Sequence, residues 1–244
     1  MDNYSKFLDF KIRGNMNGIR YPCLVDIKYD GITCVIVDDC DETIKLQFNQ
    51  KIGLKLDFRI CRMDLNYPNS RQYGMYLAEM IHDDGKNGSL YKNQPQPPSI
   101  KIFDLLNWSG VERKLDKLEQ RREDLLNFIQ PQHLATSLIC DNRQEVEDCF
   151  KNAVNNGYEG IVVKNLNETL EGQTWVKMKF EDEIELKISK VEDSRLETLH
   201  GNVVVGLGLN VVDVWQVGDI ALVRHNGITN GGSLRNPRIV RKLC

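Results

Sequence analysis

Val25-Asp26-Ile27-Lys28-Tyr29-Asp30-Gly31 places a lysine at the end of an apolar run, between two acids and ahead of a turn glycine. A lysine in that setting is held rigidly and partly desolvated, so it sheds its proton more readily and becomes a nucleophile. Taken alone, the same pattern is a strand ending in a charged turn. Two later stretches share its texture. Tyr158-Glu159-Gly160-Ile161-Val162-Val163-Lys164 runs from a helix stop into an apolar strand bounded by charge. Trp175-Val176-Lys177-Met178-Lys179 alternates, with Lys177 and Lys179 on one strand face and Val176 and Met178 on the other. Two like charges beside a buried face are costly unless something anionic lies between them. The plain alternative is an edge strand whose lysines discourage pairing.

Around these stretches the chain reads as an ordinary globular sequence. It has 244 residues, 41% hydrophobic and 27% charged, which excludes disordered and fibrous classes and leaves room for two small domains. No apolar run approaches the ~18 residues of a membrane span, and the start lacks a signal peptide's apolar stretch. Seven cysteines without CxxC pairing indicate mostly buried thiols in a reducing, cytoplasmic or other intracellular compartment, a virus-infected host cell included. The four histidines give no zinc spacing.

The net charge of −3 hides an uneven distribution. Residues 221–244 carry Arg224, Arg235, Arg238, Arg241 and Lys242 and no acid, whereas residues 181–199 hold seven acids against three bases. The texture therefore changes near residue 180. Ahead of it, short apolar runs (Cys23–Ile27, Thr33–Val37, Thr43–Phe48, Met75–Ile81, Ile100–Leu106) predict strands. Val111, Leu115, Leu118, Leu125, Leu126 and Ile129 recur at helical spacing and predict an amphipathic helix over Val111–Ile129. A second helix is predicted over Gln144–Asn156, with Val146, Phe150, Ala153 and Val154 inward, an Asn142/Glu145 capping box and a stop at Gly157. The prolines of Asn93–Ser99 predict an extended surface loop. Beyond residue 183 short strands and glycine turns suit a small β-barrel such as an OB-fold.

In chain order, Lys28-x-Asp30-Gly31, Glu79 in Leu77-Ala78-Glu79-Met80, Ile102-Phe103-Asp104, Glu159–Lys164 and Lys177-x-Lys179 resemble the covalent nucleotidyltransferase superfamily, most closely the ATP-dependent DNA ligases in a minimal two-domain form. Ser233-Leu234-Arg235-Asn236-Pro237-Arg238-Ile239-Val240-Arg241 is similar to that family's last motif. The resemblance covers residues 21 to 241 or so. It implies an α+β fold: a nucleotidyltransferase (adenylation) domain of antiparallel sheets with flanking helices over 1–182, then a small all-β OB-fold domain over 183–244. The hinge is expected near Phe180–Glu183.

The resemblance also implies roles. Lys28 would attack the α-phosphate of ATP and form a lysyl-AMP, with Asp30 orienting or deprotonating it. Lys177 and Lys179 would lower the amine's pKa and stabilise the phosphorus oxygens. Asp26 would accept a hydrogen bond from the adenine amino group, Ile27 and Gly31 would flank the nucleotide, and Phe103 would stack on adenine unless it is simply a core aromatic. Glu79 would face the ribose or a metal, and Lys164 would reach a phosphate. Glu159 would be the acid associated with Mg²⁺ or another divalent cation that bridges phosphate oxygens and water. Arg235, Arg238 and Arg241 would orient the leaving pyrophosphate. AMP would then pass to a 5′-phosphate at a nick in duplex DNA and be expelled by the 3′-hydroxyl, the chemistry of replication, repair and recombination.

Two departures bear on DNA binding. The family's first motif ends in Arg where Thr33 stands, and the stretch Leu46–Lys51 lacks a Ser-Arg pair, so Lys45, Lys51 or Lys55 would have to compensate. Lys28 lies too near the start for a preceding domain, so a monomer would grip its duplex with two domains or recruit accessory proteins. The rivals are an RNA ligase, favoured by Thr33, a guanylyltransferase, disfavoured by the form of Glu159–Lys164, and a catalytically silent OB protein that binds nucleic acid.

Overall fold

The computed structural model describes residues 12–13, 16–38, 43–48, 60–61, 74–81, 99–172, 175–192, 195–198, 204–206, 215–228, 232 and 234–243. Residues 93–98 of the proline-rich stretch, Lys51, Lys55 and Ser233 lie outside them. The first strands are β1 (Ile12–Arg13), β2 (Cys23–Lys28), β3 (Ile32–Asp38), β4 (Thr43–Phe48), β5 (Ile60–Cys61), β6 (Gly74–Ile81), β7 (Ser99–Trp108) and β8 (Val111–Glu112). Helix α1 (Leu118–Phe128), a 3-10 turn (Pro131–His133), β9 (Ser137–Cys140), helix α2 (Arg143–Asn155), β10 (Gly160–Asn165) and β11 (Trp175–Lys179) follow. The last strands are β12 (Asp182–Glu192), β13 (Arg195–Thr198), β14 (Val204–Gly206), β15 (Ile220–His225) and β16 (Arg238–Lys242). Chain contacts divide the protein into two units, Met1–Met178 and Lys179–Cys244. No described helix is long and apolar enough to cross a membrane.

The first unit stacks two sheets, each backed by a helix. One has the order β1-β11-β10-β2-β9 and the other β5-β4-β3-β6-β7-β8. The β2–β10, β2–β9, β3–β4, β3–β6 and β6–β7 pairs are antiparallel, and the short β1–β11 pair is parallel. In the first sheet Cys23, Val25, Ile161, Val163 and Val176 pack under α2 through Val146 and Ala153. Their alternate neighbours Asp26, Lys28, Val162, Lys164 and Lys177 therefore face away from α2, as the two-residue period requires. In the second sheet Cys34, Ile36, Tyr76, Ala78 and Ile102 pack under α1 through Leu125. Thr33, Val35, Leu77 and Glu79 take the opposite face. Two helix-backed sheets thus turn their remaining faces toward one cleft.

The helices have local causes. Asn142 caps α2 by accepting the Glu145 N–H at 3.0 Å, and the Glu145 carboxylate accepts the Asp141 N–H at 2.8 Å. Gly157, at φ 84°, ends that helix in the left-handed conformation glycine tolerates. The helix expected over Val111–Ile129 is corrected. Val111–Glu112 form a strand, α1 begins at Leu118, and Leu115 and Leu126 are 67% and 59% exposed. Leu118, Arg121, Leu125 and the following Ile129 are buried and Phe128 packs beside them, whereas Leu126, turned about 100° from Leu125, points outward. The described cysteines Cys23, Cys34, Cys140 and Cys149 are free, and burial raises the Cys23 thiol to about 11.

The second unit is one sheet of order β14-β13-β12-β15-β16. Its pairs are antiparallel, and β14 comes back into contact with β16, so the sheet curls toward closure. Its core is Leu186, Ile188, Leu196, Trp215, Ala221, Val223 and Leu234.

Candidate active site

A cleft of about 500 Å³ opens between the two sheets of the first unit. Strand β2 sends Asp26 and Lys28 into it, with Ile27 and Tyr29 completing that wall. Thr33, Glu79 and Phe103 line it from the second sheet; Val162, Lys164, Trp175 and Lys177 come from β10 and β11. Thr33 and Glu79 sit directly opposite each other on β3 and β6, as do Asp26 and Val162 on β2 and β10.

At one end the Lys28 amine pairs with Glu159, and the two side chains are 15% and 9% exposed. Register explains the meeting: Gly160 is the β10 partner of Lys28, so the preceding Glu159 enters β10 beside the last residue of β2. Glu79 lies close by, accepting the Thr33 hydroxyl at 2.8 Å. Burial pushes the Glu79 carboxyl up from its ordinary value, and the nearby charges of Lys28 and Lys177 only partly oppose that. Gly31 secures this corner, because a Cβ there would stand 2.3 Å from the Met80 carbonyl oxygen. Asp30 sits on the bend after β2, half-buried, outside the residues that line the cleft.

At the other end Asp26 meets Lys164 at 2.5 Å, with side chains 5% and 1% exposed. Among the described residues neither Asp26 oxygen accepts a hydrogen bond of good geometry, so the charge of Lys164 is its compensation. The Lys164 amine also donates to the Phe103 carbonyl at 3.3 Å and lies 4.9 Å and 4.3 Å from the ring centroids of Phe103 and Trp175. The resemblance leads one to expect Lys164 near a phosphate, and in this structure its amine stands at the Asp26 end of the cleft. Lys164 is four residues along β10 from the partner of Lys28, about 13 Å of strand. It is committed to the apolar end.

Phe103 is half-buried, edge-on to Trp175 at 5.6 Å between centroids, with its ring in the lining. Lys177 faces the cleft, whereas Lys179 is exposed at the strand end, in the second unit. Arg235, Arg238 and Arg241 also belong to the second unit; Arg235 is half-buried on the turn before β16, and Arg238 and Arg241 are exposed on β16. Among the described residues no three His, Cys, Asp or Glu side chains gather as a metal cage.

The sequence reading overlooked the wall made by residues 134–136. Ala135 donates its N–H to the Ile102 carbonyl at 2.7 Å, and the Thr136 carbonyl accepts from Ile27 at 2.9 Å, so this strap ties the two sheets together. The Tyr29 hydroxyl bonds Thr136 and Ala135 lines the cleft. Nothing in its local pattern marks the strap, since the strands it ties together, β2 and β7, lie far from it in sequence.

The site is thus a lysine held against a glutamate in a cleft between helix-backed antiparallel sheets, with an aromatic ring and a buried Asp–Lys pair at the far end. Residues 67–179 match the sequence family described as ATP dependent DNA ligase domain, a stretch that includes Glu79, Phe103, Glu159, Lys164, Lys177 and Lys179. A DNA ligase of Acidianus ambivalens is 27% identical over 112 residues, 42% of this chain, and DNA ligase 1 of Korarchaeum cryptofilum is 32% identical over 101 residues, 39% of this chain. Each match spans 19% of the relative's own length. The fold is shared with a solved Lig E DNA ligase described as binding DNA with a minimal scaffold, at TM-score 0.71 and 17% identity over 96% of this chain and 97% of that one. It is also shared with mycobacterial DNA ligase D, solved with ATP and MES, at TM-score 0.54 and 16% identity over 100% and 96% of the two chains. Over residues 67–179 the chain is similar to the ATP-dependent DNA ligase domain.

Proposed function

We propose that this chain is an ATP-dependent DNA ligase that seals 5′-phosphate/3′-hydroxyl nicks in duplex DNA. The observation that carries the reading is the Lys28 amine paired with Glu159 inside the cleft, with Lys177 lining the same space. Lys28 attacks the α-phosphorus of ATP and pyrophosphate leaves. Glu159 and Asp30 orient the amine, and Lys177 and Lys179 stabilise charge on the phosphorus oxygens. The base occupies the Asp26–Lys164 end beside Ile27, with Phe103 stacked on it and Asp26 accepting its amino group, while Gly31 flanks the nucleotide at the Lys28 end. Glu79 faces the ribose. Glu159 and Glu79 are hard oxygen donors beside the reacting amine and fit Mg²⁺ or a similar ion held partly by phosphate and water. When bound, that ion supplies charge neutralisation at the phosphates.

In this reading the second unit is an OB barrel. It turns about a hinge near Phe180–Glu183 and brings Arg235, Arg238 and Arg241 to the pyrophosphate. The protein acts as a monomer in a reducing intracellular compartment, with accessory proteins as optional partners. Thr33 favours a second reading: it engages Glu79 with a neutral hydroxyl where the resemblance implies an arginine, and an RNA ligase is the alternative it supports.

The test is transfer of label from α-labelled ATP to protein in Mg²⁺. An acid-labile adduct is expected, absent from Lys28→Ala and absent with GTP. An adduct formed with GTP alone, or one that survives Lys28→Ala, overturns the mechanism. Parallel sealing of nicked DNA, RNA and hybrid duplexes then decides the substrate; faster sealing of RNA transfers the assignment to RNA ligase.

A further inference from the structure

Strand β7 breaks its alternation just past Phe103, the ring that lines the cleft, where Asp104 and Leu105 both turn toward α1. Its pairing with β6 runs Ala78↔Ile102 and then Leu77↔Asp104, so Phe103 is an extra residue without a β6 partner. Such a bulge re-aims a side chain but takes its backbone out of the ladder. The freed groups must find other partners or lose stability. Three neighbouring groups do so off the ladder. The Ile102 carbonyl accepts the Ala135 N–H at 2.7 Å, the Phe103 carbonyl accepts the Lys164 amine at 3.3 Å, and the Leu105 N–H donates to Asp104 Oδ1 at 2.8 Å.

Asp104 in turn is held by Arg121 of α1. The guanidinium Nε donates to Oδ1 at 2.7 Å and Nη2 to Oδ2 at 3.0 Å, while Nη1 donates to the Asp116 carbonyl at 2.5 Å. Both side chains of the pair are 0% exposed. A buried ion pair adds little stability over apolar packing of the same shape, so net stability is a weak account of why two full charges are kept here. What the two-point fork does supply is a fixed position for Asp104, the residue next to Phe103.

We propose that Arg121 is a positioning residue for nucleotide binding: by clamping Asp104 on the α1 side of β7, it fixes the bulge that presents the Phe103 ring to the base. This rests on the proposed function for the identity of the ligand. Arg121 never touches the nucleotide. It acts through Asp104 and Phe103 alone, so its influence is confined to the base and does not extend to the phosphates.

The experiment compares the intact chain with Asp104→Leu/Arg121→Met, which removes both charges together and keeps the volume, and with Arg121→Lys, which keeps the charge and loses the fork. The apparent KM for ATP in adduct formation is expected to rise roughly tenfold in the double variant, the scale of one base–aromatic stack, with the rate at saturating ATP within about threefold. Competition by inorganic tripolyphosphate, which has no base, should be unchanged; a general loosening of the fold would weaken both. In Phe103→Ala the further change at 104 and 121 should add nothing. Unchanged ATP KM in a folded double variant overturns the proposal, as does equal weakening of ATP and tripolyphosphate. Should the double variant fail to melt cooperatively, Arg121→Lys decides by the same two criteria. Absence of any adduct in the unaltered chain overturns the ligase reading instead, and Arg121 is then judged by equilibrium binding of trinitrophenyl-ATP.

Discussion

Strands β2 and β10 carry two lysine–carboxylate pairs on one face of one sheet, and the two differ in how far water reaches them. Asp26–Lys164 is closed over by Phe103 and Trp175 and is 5% and 1% exposed; Lys28–Glu159 is 9% to 15% exposed at the other end of the cleft. The charge types are the same and the donor strand is exchanged: the acid is on β2 in the first pair, the lysine in the second. A sealed pair cannot lose one member without leaving an uncompensated charge in low dielectric, so it is a fixture. A pair open to the cleft can trade its partner for an incoming phosphate. In the proposed function the fixed pair thus holds the base and the open pair meets the phosphates, along a single sheet face.

Four variants test that division, in descending order of expected effect. Lys28→Ala should abolish covalent label from α-labelled ATP while the melting temperature changes little; residual label at the wild-type level would dissolve the contrast. Lys164→Ala should lower unfolding free energy in urea by about 3–5 kcal/mol by stranding Asp26, and Asp26→Val/Lys164→Leu should recover most of that loss. An unchanged urea midpoint for the single variant would mean that this end is no fixture. Glu159→Gln should slow adduct formation roughly a hundredfold while costing less than about 1 kcal/mol of stability, because the pair it breaks is partly solvated. A large stability loss there would make the two pairs alike.

The smallest effect concerns Glu79. Burial raises its carboxyl pKa in the folded protein above the ordinary 4.5. Between that value and the raised one the folded state binds more protons than the unfolded, so stability falls as pH rises through the window and the penalty is complete above it. Glu79→Gln should therefore raise the melting temperature by a few degrees at neutral pH, on the order of 1 kcal/mol, with the gain vanishing below about pH 4.5. A gain that persists at pH 4 would assign the effect to packing. Because Thr33 donates to either side chain, its hydrogen bond survives the change.

Much of this molecule was legible along the chain, and the gaps have identifiable causes. The five apolar runs assigned to strands before residue 110 all lie in β2, β3, β4, β6 and β7, since a two-residue period is a local property. The α2 cap was readable from Asn142 and Glu145 for the same reason. The α1 stripe was misread because Leu115 and Leu126 satisfy a helical period without facing the core, while Arg121, which does face it, looks like a surface residue. The resemblance gives Lys164 a role toward a phosphate; only the register of β10 on β2 shows that its end of the strand lies beside Asp26. The bulge at Phe103 is invisible to any pattern, because the missing partner belongs to β6.

The sequence by itself determined which residues carry chemistry and in what order, because side-chain type, strand period and helix caps depend on neighbours a few positions away. Tertiary structure decided which charges meet. Lys28 finds Glu159 across 131 residues and Asp104 finds Arg121 across 17, contacts set by strand register, a β-bulge and the burial of one helix face. Those are properties of packing, where the free energy of a buried charge depends on its partner and not on its place in the chain.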